Sequence, residues 1–195
     1  MRARTHIAVL TTIMALGWAN GLPAQQSSAR PNTREGFFVG FGAGVGNEHF
    51  NPKTTAAGVS GSQYGPSLYF KIGGSASQSV ILGAELYGWG DPESFSGRGV
   101  GSVTFFGQFY PRSAGAFFIK GGLGVATIEN GSSSAPGSFF DDDSEQIGFS
   151  GVIGVGYDWR IGKNTSLVPT IDLYLQDYSN FRERILVMGL GVMFH

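Results

Sequence analysis

The chain has 195 residues, including 32 glycines, 16 phenylalanines, 7 tyrosines, 3 tryptophans and no cysteine, with 14% charged residues and a formal net charge of −1. So few charges beside so many aromatics exclude a disordered chain, and 13 basic against 14 acidic residues leave no basic field for nucleic acid. Without cysteine there is no disulfide framework, thiolate zinc site or thiol nucleophile, and the length suits one domain.

The first element is a leader. Arg2 and Arg4 precede an apolar run from Ile7 to Ala19, and small-residue contexts follow at Gly17-Trp18-Ala19 and Leu22-Pro23-Ala24. The run falls short of the roughly 20 residues that a helix needs to cross a bilayer. Basic start, short apolar core and small residues together predict a secretory signal peptide over residues 1–24. A short core helix fits less well, because nothing amphipathic surrounds the run and Gln25-Gln26-Ser27-Ser28 turns abruptly polar. Residues 25–35 read as a polar linker, and residues 36–195 as one β-domain.

From Phe37 onward the apolar residues recur every second position, which is the period of a strand rather than a helix. Phe37, Val39, Phe41, Ala43 and Val45 share one face, with Phe38 and Gly40, Gly42, Gly44 and Gly46 on the other. The same alternation sets Leu68, Phe70 and Ile72 against Ser67, Tyr69 and Lys71, then Leu82, Ala84 and Leu86 against Gly83, Glu85 and Tyr87. It continues with Val103, Phe105 and Phe109, then Phe117, Ile119 and Leu123, then Phe149, Ile153, Val155 and Tyr157. Leu167, Ile171, Leu173 and Leu175 form the seventh run, and Leu186, Met188, Leu190, Val192 and Phe194 the eighth. Eight strands of about 9–11 residues match the length of tilted membrane-spanning strands. Longer polar connections at 47–64, 90–97, 128–145 and 177–183 alternate with shorter ones at 73–79, 111–115 and 159–164. The expected fold is therefore an all-β, eight-stranded antiparallel up-and-down transmembrane barrel. Both termini would lie at the short-turn, periplasmic end and the long loops would be extracellular.

Charge placement orients the faces. Away from strand ends the charged residues are Lys71, Glu85, Lys120 and Asp172, all opposite the Phe, Leu and Ile face. A glycine-rich face with a few charges suits the crowded interior of a small barrel, where those four residues form an interior polar network. The apolar face then meets lipid. Phe37, Phe109, Tyr110, Phe117, Tyr157, Trp159 and Phe194 all fall at the short-turn ends of strands and are expected to form an interfacial girdle.

With these features, residues 36–195 resemble the small eight-stranded outer-membrane β-barrel proteins of the OmpA/OmpX-like superfamily. The resemblance rests on Gln108-Phe109-Tyr110-Pro111, on Phe118-Ile119-Lys120-Gly121-Gly122-Leu123-Gly124, and on Leu190-Gly191-Val192-Met193-Phe194. It implies that the aromatic-ended last strand is read by the barrel-assembly machinery, with His195 as a departure after Phe194. The sequence ends with the eighth strand, so a following peptidoglycan-binding domain is not expected.

No catalytic, cofactor-binding or metal-ligating set stands out. Outside the leader the histidines are His49 and His195, without spaced partners, and no His-x-Ser pair or GxGxxG occurs. Glu48 beside His49 reads as a solvated pair. Asp141, Asp142, Asp143 and Glu145 form an acidic loop that reads as solvated, or as a divalent-cation site bridging to lipopolysaccharide phosphates. The expected function is a monomeric outer-membrane barrel in a structural or surface-interaction role, contacting outer-membrane lipid and lipopolysaccharide. A narrow channel for small solutes and a soluble lipocalin-like carrier are the alternatives.

Overall fold

The computed structural model describes residues 34–53, 61–90, 98–130 and 146–195. The strands are β1 (Phe37–Pro52), β2 (Gly61–Ser77), β3 (Val80–Gly90), β4 (Arg98–Phe109), β5 (Phe117–Asn130), β6 (Gln146–Tyr157), β7 (Trp159–Arg160), β8 (Thr165–Asp177) and β9 (Phe181–Phe194). Each pairs antiparallel with its sequence neighbour, except that β6 pairs with β8 and β7 also pairs with β8. The two-residue β7 resumes the line of β6 after Asp158, so the nine strands make eight staves. Pairing of β1 with β9, from Val39↔Phe194 to Pro52↔Phe181, closes the sheet into a barrel. Closure leaves no unpaired sheet edge.

The side-chain alternation follows the period-two reading in every stave. Phe105, Leu123, Phe149 and Ile153 are 75, 63, 56 and 56% exposed on the outside, while Lys120, Thr104 and Ser150 are fully buried inside. The interior holds two apolar clusters. One contains Tyr69, Tyr87, Trp89, Ile128, Tyr174 and Ile185 among others. The second, toward the chain termini, contains Phe38, Ile81, Phe106, Tyr110, Phe118, Val168 and Met193. Along β3, β5 and β8, the residues Glu85, Lys120 and Asp172 fall between members of these two clusters.

Strand ends differ from the expected boundaries. Apart from β7, the strands run from 11 residues in β3 to 17 in β2. The short connection expected at 73–79 shrinks to Gln78 and Ser79, because β2 continues to Ser77. Likewise the polar segment 177–183 is only a three-residue turn, closed by Tyr178 N donating to Phe181 O at 3.0 Å and by stacked Tyr178 and Phe181 rings. The ladder bonds backbone groups, so it continues into polar segments that the apolar alternation does not mark. Longer connections are therefore confined to 53–60 and 131–145, because 91–97 is no longer than 110–116 at the other end.

Chain entry into β1 depends on Gly36, whose φ of 83° is the one positive value recorded among the described residues. Its carbonyl accepts from Ser75 N at 2.9 Å, which fixes the turn into the ladder.

Candidate functional site

Lys71, Glu85, Lys120 and Asp172 come together at the centre of the barrel. Lys71 and Glu85 are direct Cα partners in the β2–β3 register, and Lys71 Nζ lies 3.1 Å from Glu85 Oε2. Lys120 reaches across from β5, placing Nζ 3.0 Å from Glu85 Oε2 and 3.0 Å from Asp172 Oδ2. Tyr174 donates its hydroxyl to Glu85 Oε1 at 2.6 Å, and its ring stacks on that of Tyr87 with centroids 3.8 Å apart. Lys71 Nζ also sits 4.3 Å from the Tyr69 ring centroid. All four charged side chains are buried, so their two positive and two negative charges satisfy one another away from water. Glycines on neighbouring staves make room for this cluster. A Cβ at Gly154 would collide with Asp172 Oδ1, and one at Gly42 would collide with the Tyr69 ring and hydroxyl.

The girdle residues divide. Phe37, Phe109, Phe117, Tyr157, Trp159 and Phe194 are between 43 and 60% exposed on the outer wall. Tyr110 is not among them: it is fully buried, which corrects its assignment to the girdle. It follows Phe109, which faces out, so the alternation itself turns Tyr110 inward. There its hydroxyl lies 3.5 Å from Asp158 Oδ2, and its ring centroid is 3.4 Å from the guanidinium carbon of Arg34.

Arg34 belongs to the segment expected to be a polar linker, yet its side chain is fully buried in the floor of the barrel. Its Nε is 3.6 Å from Asp158 Oδ2, and Nη1 donates to Ser113 O at 2.9 Å and Gln78 O at 3.4 Å. Nη2 donates to Gly115 O. One guanidinium thus ties the chain entry to the connections after β2, β4 and β6. His195 closes the same floor, with Nε2 3.3 Å from Ser166 Oγ and 3.9 Å from Asp158 Oδ2. Burial pushes its imidazole below the ordinary histidine range, and Asp158 opposes that shift. The inward phase of Asp158, between Tyr157 and Trp159, was the available signal in the sequence.

At the opposite end Glu48, Glu183 and Gln176 are buried inside the barrel. Glu48 and His49 do not form a solvated pair, because consecutive strand residues point to opposite faces: Glu48 is buried and His49 exposed. Asp141, Asp142, Asp143 and Glu145 lie outside the described residues.

Several solved structures share this fold. The attachment invasion locus protein Ail of Yersinia pestis matches with a TM-score of 0.56 at 12% identity, over 82% of this chain and 99% of that one. Ail in complex with the heparin analogue sucrose octasulfate gives 0.54 at 13% identity, over 82 and 99%. Neisserial surface protein A gives 0.56 at 14% identity, over 84 and 99%. No protein-family model matches the chain, and no curated protein matches it in sequence. The fold is that of the small eight-stranded outer-membrane β-barrels.

Proposed function

We propose that this protein is an integral, monomeric outer-membrane barrel with a structural or surface-interaction role and no catalytic site. The supporting observation is the inversion of polarity across the wall. Large apolar side chains such as Phe105 and Leu123 are 75 and 63% exposed outside, while Lys71, Glu85, Lys120 and Asp172 are buried inside. In water that belt would be a very large exposed apolar surface, whereas hydrocarbon accepts it and a closed sheet leaves no backbone group unpaired there. A soluble lipocalin-like carrier needs the opposite arrangement. The mutual pairing of the central charges favours a sealed interior over a narrow channel, since eight staves enclose little more than their own side chains.

In this reading the leader over residues 1–24 directs export, the barrel-assembly machinery inserts the chain, and both ends of the barrel sequence face the periplasm. The loops meet the exterior, where outer-leaflet lipopolysaccharide is the nearest partner. Ail, similar in fold, bears a name that refers to attachment and invasion, which agrees with a surface-interaction role.

Membrane fractionation combined with gel mobility before and after heating tests the reading. Detergent-resistant outer-membrane recovery and a heat-dependent mobility shift are expected, and recovery in the soluble periplasm would overturn it. Purified protein in a planar bilayer should show no steady conductance; discrete, reproducible channels would transfer the assignment to the narrow-channel alternative.

A further inference from the structure

On the outer wall the apolar belt gives way to cations at the β1–β9 seam. Outward positions on β9 read Phe194, Val192, Leu190, Met188 and Leu186, then Arg184 and Arg182. The apolar part spans about 27 Å along the strand at roughly 3.4 Å per residue. A tilt of roughly 40° reduces that to about 20 Å of height, comparable to the roughly 25 Å apolar band of such barrels. Arg184 therefore stands at the upper edge of the band, with Arg182 one outward position higher.

The neighbouring strands add to this pair. His49 on β1 is the register partner of Arg184, and Asn51 that of Arg182. Across the other side, Leu175 faces Arg184 and Asp177 faces Arg182. Lys53, just beyond β1, places Nζ 2.6 Å from Asp177 Oδ1, while Arg182 Nε is 3.6 Å from the same oxygen. Asp177 is exposed, as are Lys53, Arg182 and Arg184. Among the described residues three positive charges on this face thus stand against one exposed carboxylate, and Arg184 has no ion-pair partner.

The seam is also held in shape. Lys53 N donates to Asn180 O at 2.9 Å and its Nζ donates to Tyr178 O, so the end of β1 is fastened to the β8–β9 turn. Phe50 and Phe181 pack beside it with ring centroids 4.9 Å apart.

We propose that Lys53, Arg182 and Arg184 form a docking surface for phosphate groups of outer-leaflet lipopolysaccharide. The proposal rests on the outer-membrane reading with the loops outward. Cations that project sideways from the wall at the edge of an apolar band face lipid headgroups rather than the space above the loops. Long basic side chains lie along apolar surface while their charged ends reach the interface. The planar guanidinium presents paired donors that match phosphate oxygens. Excess positive charge with an unpaired arginine selects an anionic headgroup over a zwitterionic one.

The test uses the full-length barrel in phosphatidylcholine vesicles doped with fluorescent lipid A, either phosphorylated or dephosphorylated, and reads lipid enrichment by energy transfer from tryptophan. Phosphorylated lipid A should be enriched around the wild type. Arg182→Gln and Arg184→Gln should each reduce that preference roughly fivefold, the usual effect of one interfacial charge, and the double variant more. Arg112→Gln, on the opposite rim, should leave it unchanged. All variants should keep the wild-type heat-dependent mobility in pure phosphatidylcholine, because none of these side chains enters the interior. An undiminished preference in the double variant, or equal enrichment of the dephosphorylated lipid, overturns the proposal. So does a preference that a soluble sulfated oligosaccharide abolishes while binding at the same arginines, since the site would then serve a soluble polyanion. Failure of the wild type to insert into any vesicle overturns the outer-membrane reading, and the docking surface with it.

Discussion

Glu85 receives both lysines of the barrel interior: Lys71 Nζ at 3.1 Å and Lys120 Nζ at 3.0 Å converge on its Oε2. The two arms are unequal in consequence. Lys120 has a second carboxylate, Asp172, at 3.0 Å, whereas Glu85 is the one carboxylate recorded in ion-pair contact with Lys71 among the described residues. Glu85→Ala therefore leaves Lys71 buried without a counter-charge and should cost about 3–5 kcal/mol of stability in denaturant titrations in vesicles. Lys71→Ala should cost less, because Glu85 retains Lys120 and the Tyr174 hydroxyl. The summed losses should exceed the loss in the double mutant, which contains no orphaned Lys71 or Glu85. Additive losses would mean that the pair is not coupled.

Arg34 and Asp158 form the second buried pair, with an Nε to Oδ2 distance of 3.6 Å. Arg34→Ala should destabilise the barrel by about 3–5 kcal/mol, since it leaves the buried Asp158 only the Tyr110 hydroxyl and His195 and frees the carbonyls of Ser113 and Gly115. Arg34→Lys should rescue little, because an ammonium cannot both stack on Tyr110 and reach three connections. Full stability in Arg34→Lys would show that charge alone holds the floor.

The parts that the sequence made legible are those governed by local periodicity. Alternation of Phe, Leu and Ile with glycine marks the wall, and the phase of Lys71, Glu85, Lys120 and Asp172 places them inside together. The seat of Arg34 was not legible, because its partners at Gln78, Ser113 and Gly115 are 44, 79 and 81 residues away and converge only when the barrel closes. Strand ends were obscured for a different reason. Above the apolar belt the outward positions, such as His49, Arg182 and Asp177, turn polar, so a continuing ladder resembles a loop. Tyr110 shows the error in weighing residue type over phase: aromatic at a strand end suggested an interface, while its inward phase pointed to the floor.

Glycine substitutions separate packing from lipid exposure. A Cβ at Gly42 would lie 2.7 Å from Gly191 Cα and would also collide with Tyr69. Gly42→Ala and Gly42→Ser should therefore each cost about 1–3 kcal/mol. Gly121 faces outward and has nothing within 4 Å of an added Cβ. Gly121→Ala should be neutral or stabilise by up to about 1 kcal/mol through reduced chain entropy in the unfolded state. Equal losses at both positions would contradict the close approach at Gly42.

His195 should give the barrel floor a pH dependence. Its folded pKa lies below the unfolded value, because burial disfavours the imidazolium. Between the unfolded value of about 6.5 and the folded one, the unfolded chain binds more protons, so stability falls as pH falls through that window. Asp177, held below the usual carboxylate range first by its hydrogen bond from Lys53, titrates lower and does not enter it. Wild type should lose more stability than His195→Gln between pH 7.5 and 5.5. Parallel losses in the two proteins would assign the dependence to another group.

The outer wall offers the most direct test of the membrane reading. Phe41 and Ile119 are 52 and 43% exposed on the apolar outer faces of β1 and β5, whereas Lys120 beside Ile119 is fully buried. Arginine at Phe41, midway along the outward apolar run from Phe37 to Val45, should cost about 2–4 kcal/mol in a bilayer, as expected at its midplane, and arginine at Ile119, the register partner of girdle residue Phe109, should cost less. A soluble barrel packed against a partner would also resist those arginines, so stability alone does not identify the surroundings. Spin labels at positions 41 and 119 distinguish them, because oxygen concentrates in hydrocarbon while a water-soluble nickel complex is excluded from it. In reconstituted vesicles both labels should collide more with oxygen than with nickel, and a label at His49, above the belt, should show the reverse. Labels at 41 and 119 reached by neither reagent would place these residues against protein, and preferential nickel collisions would place them in water; either result refutes a lipid-facing wall.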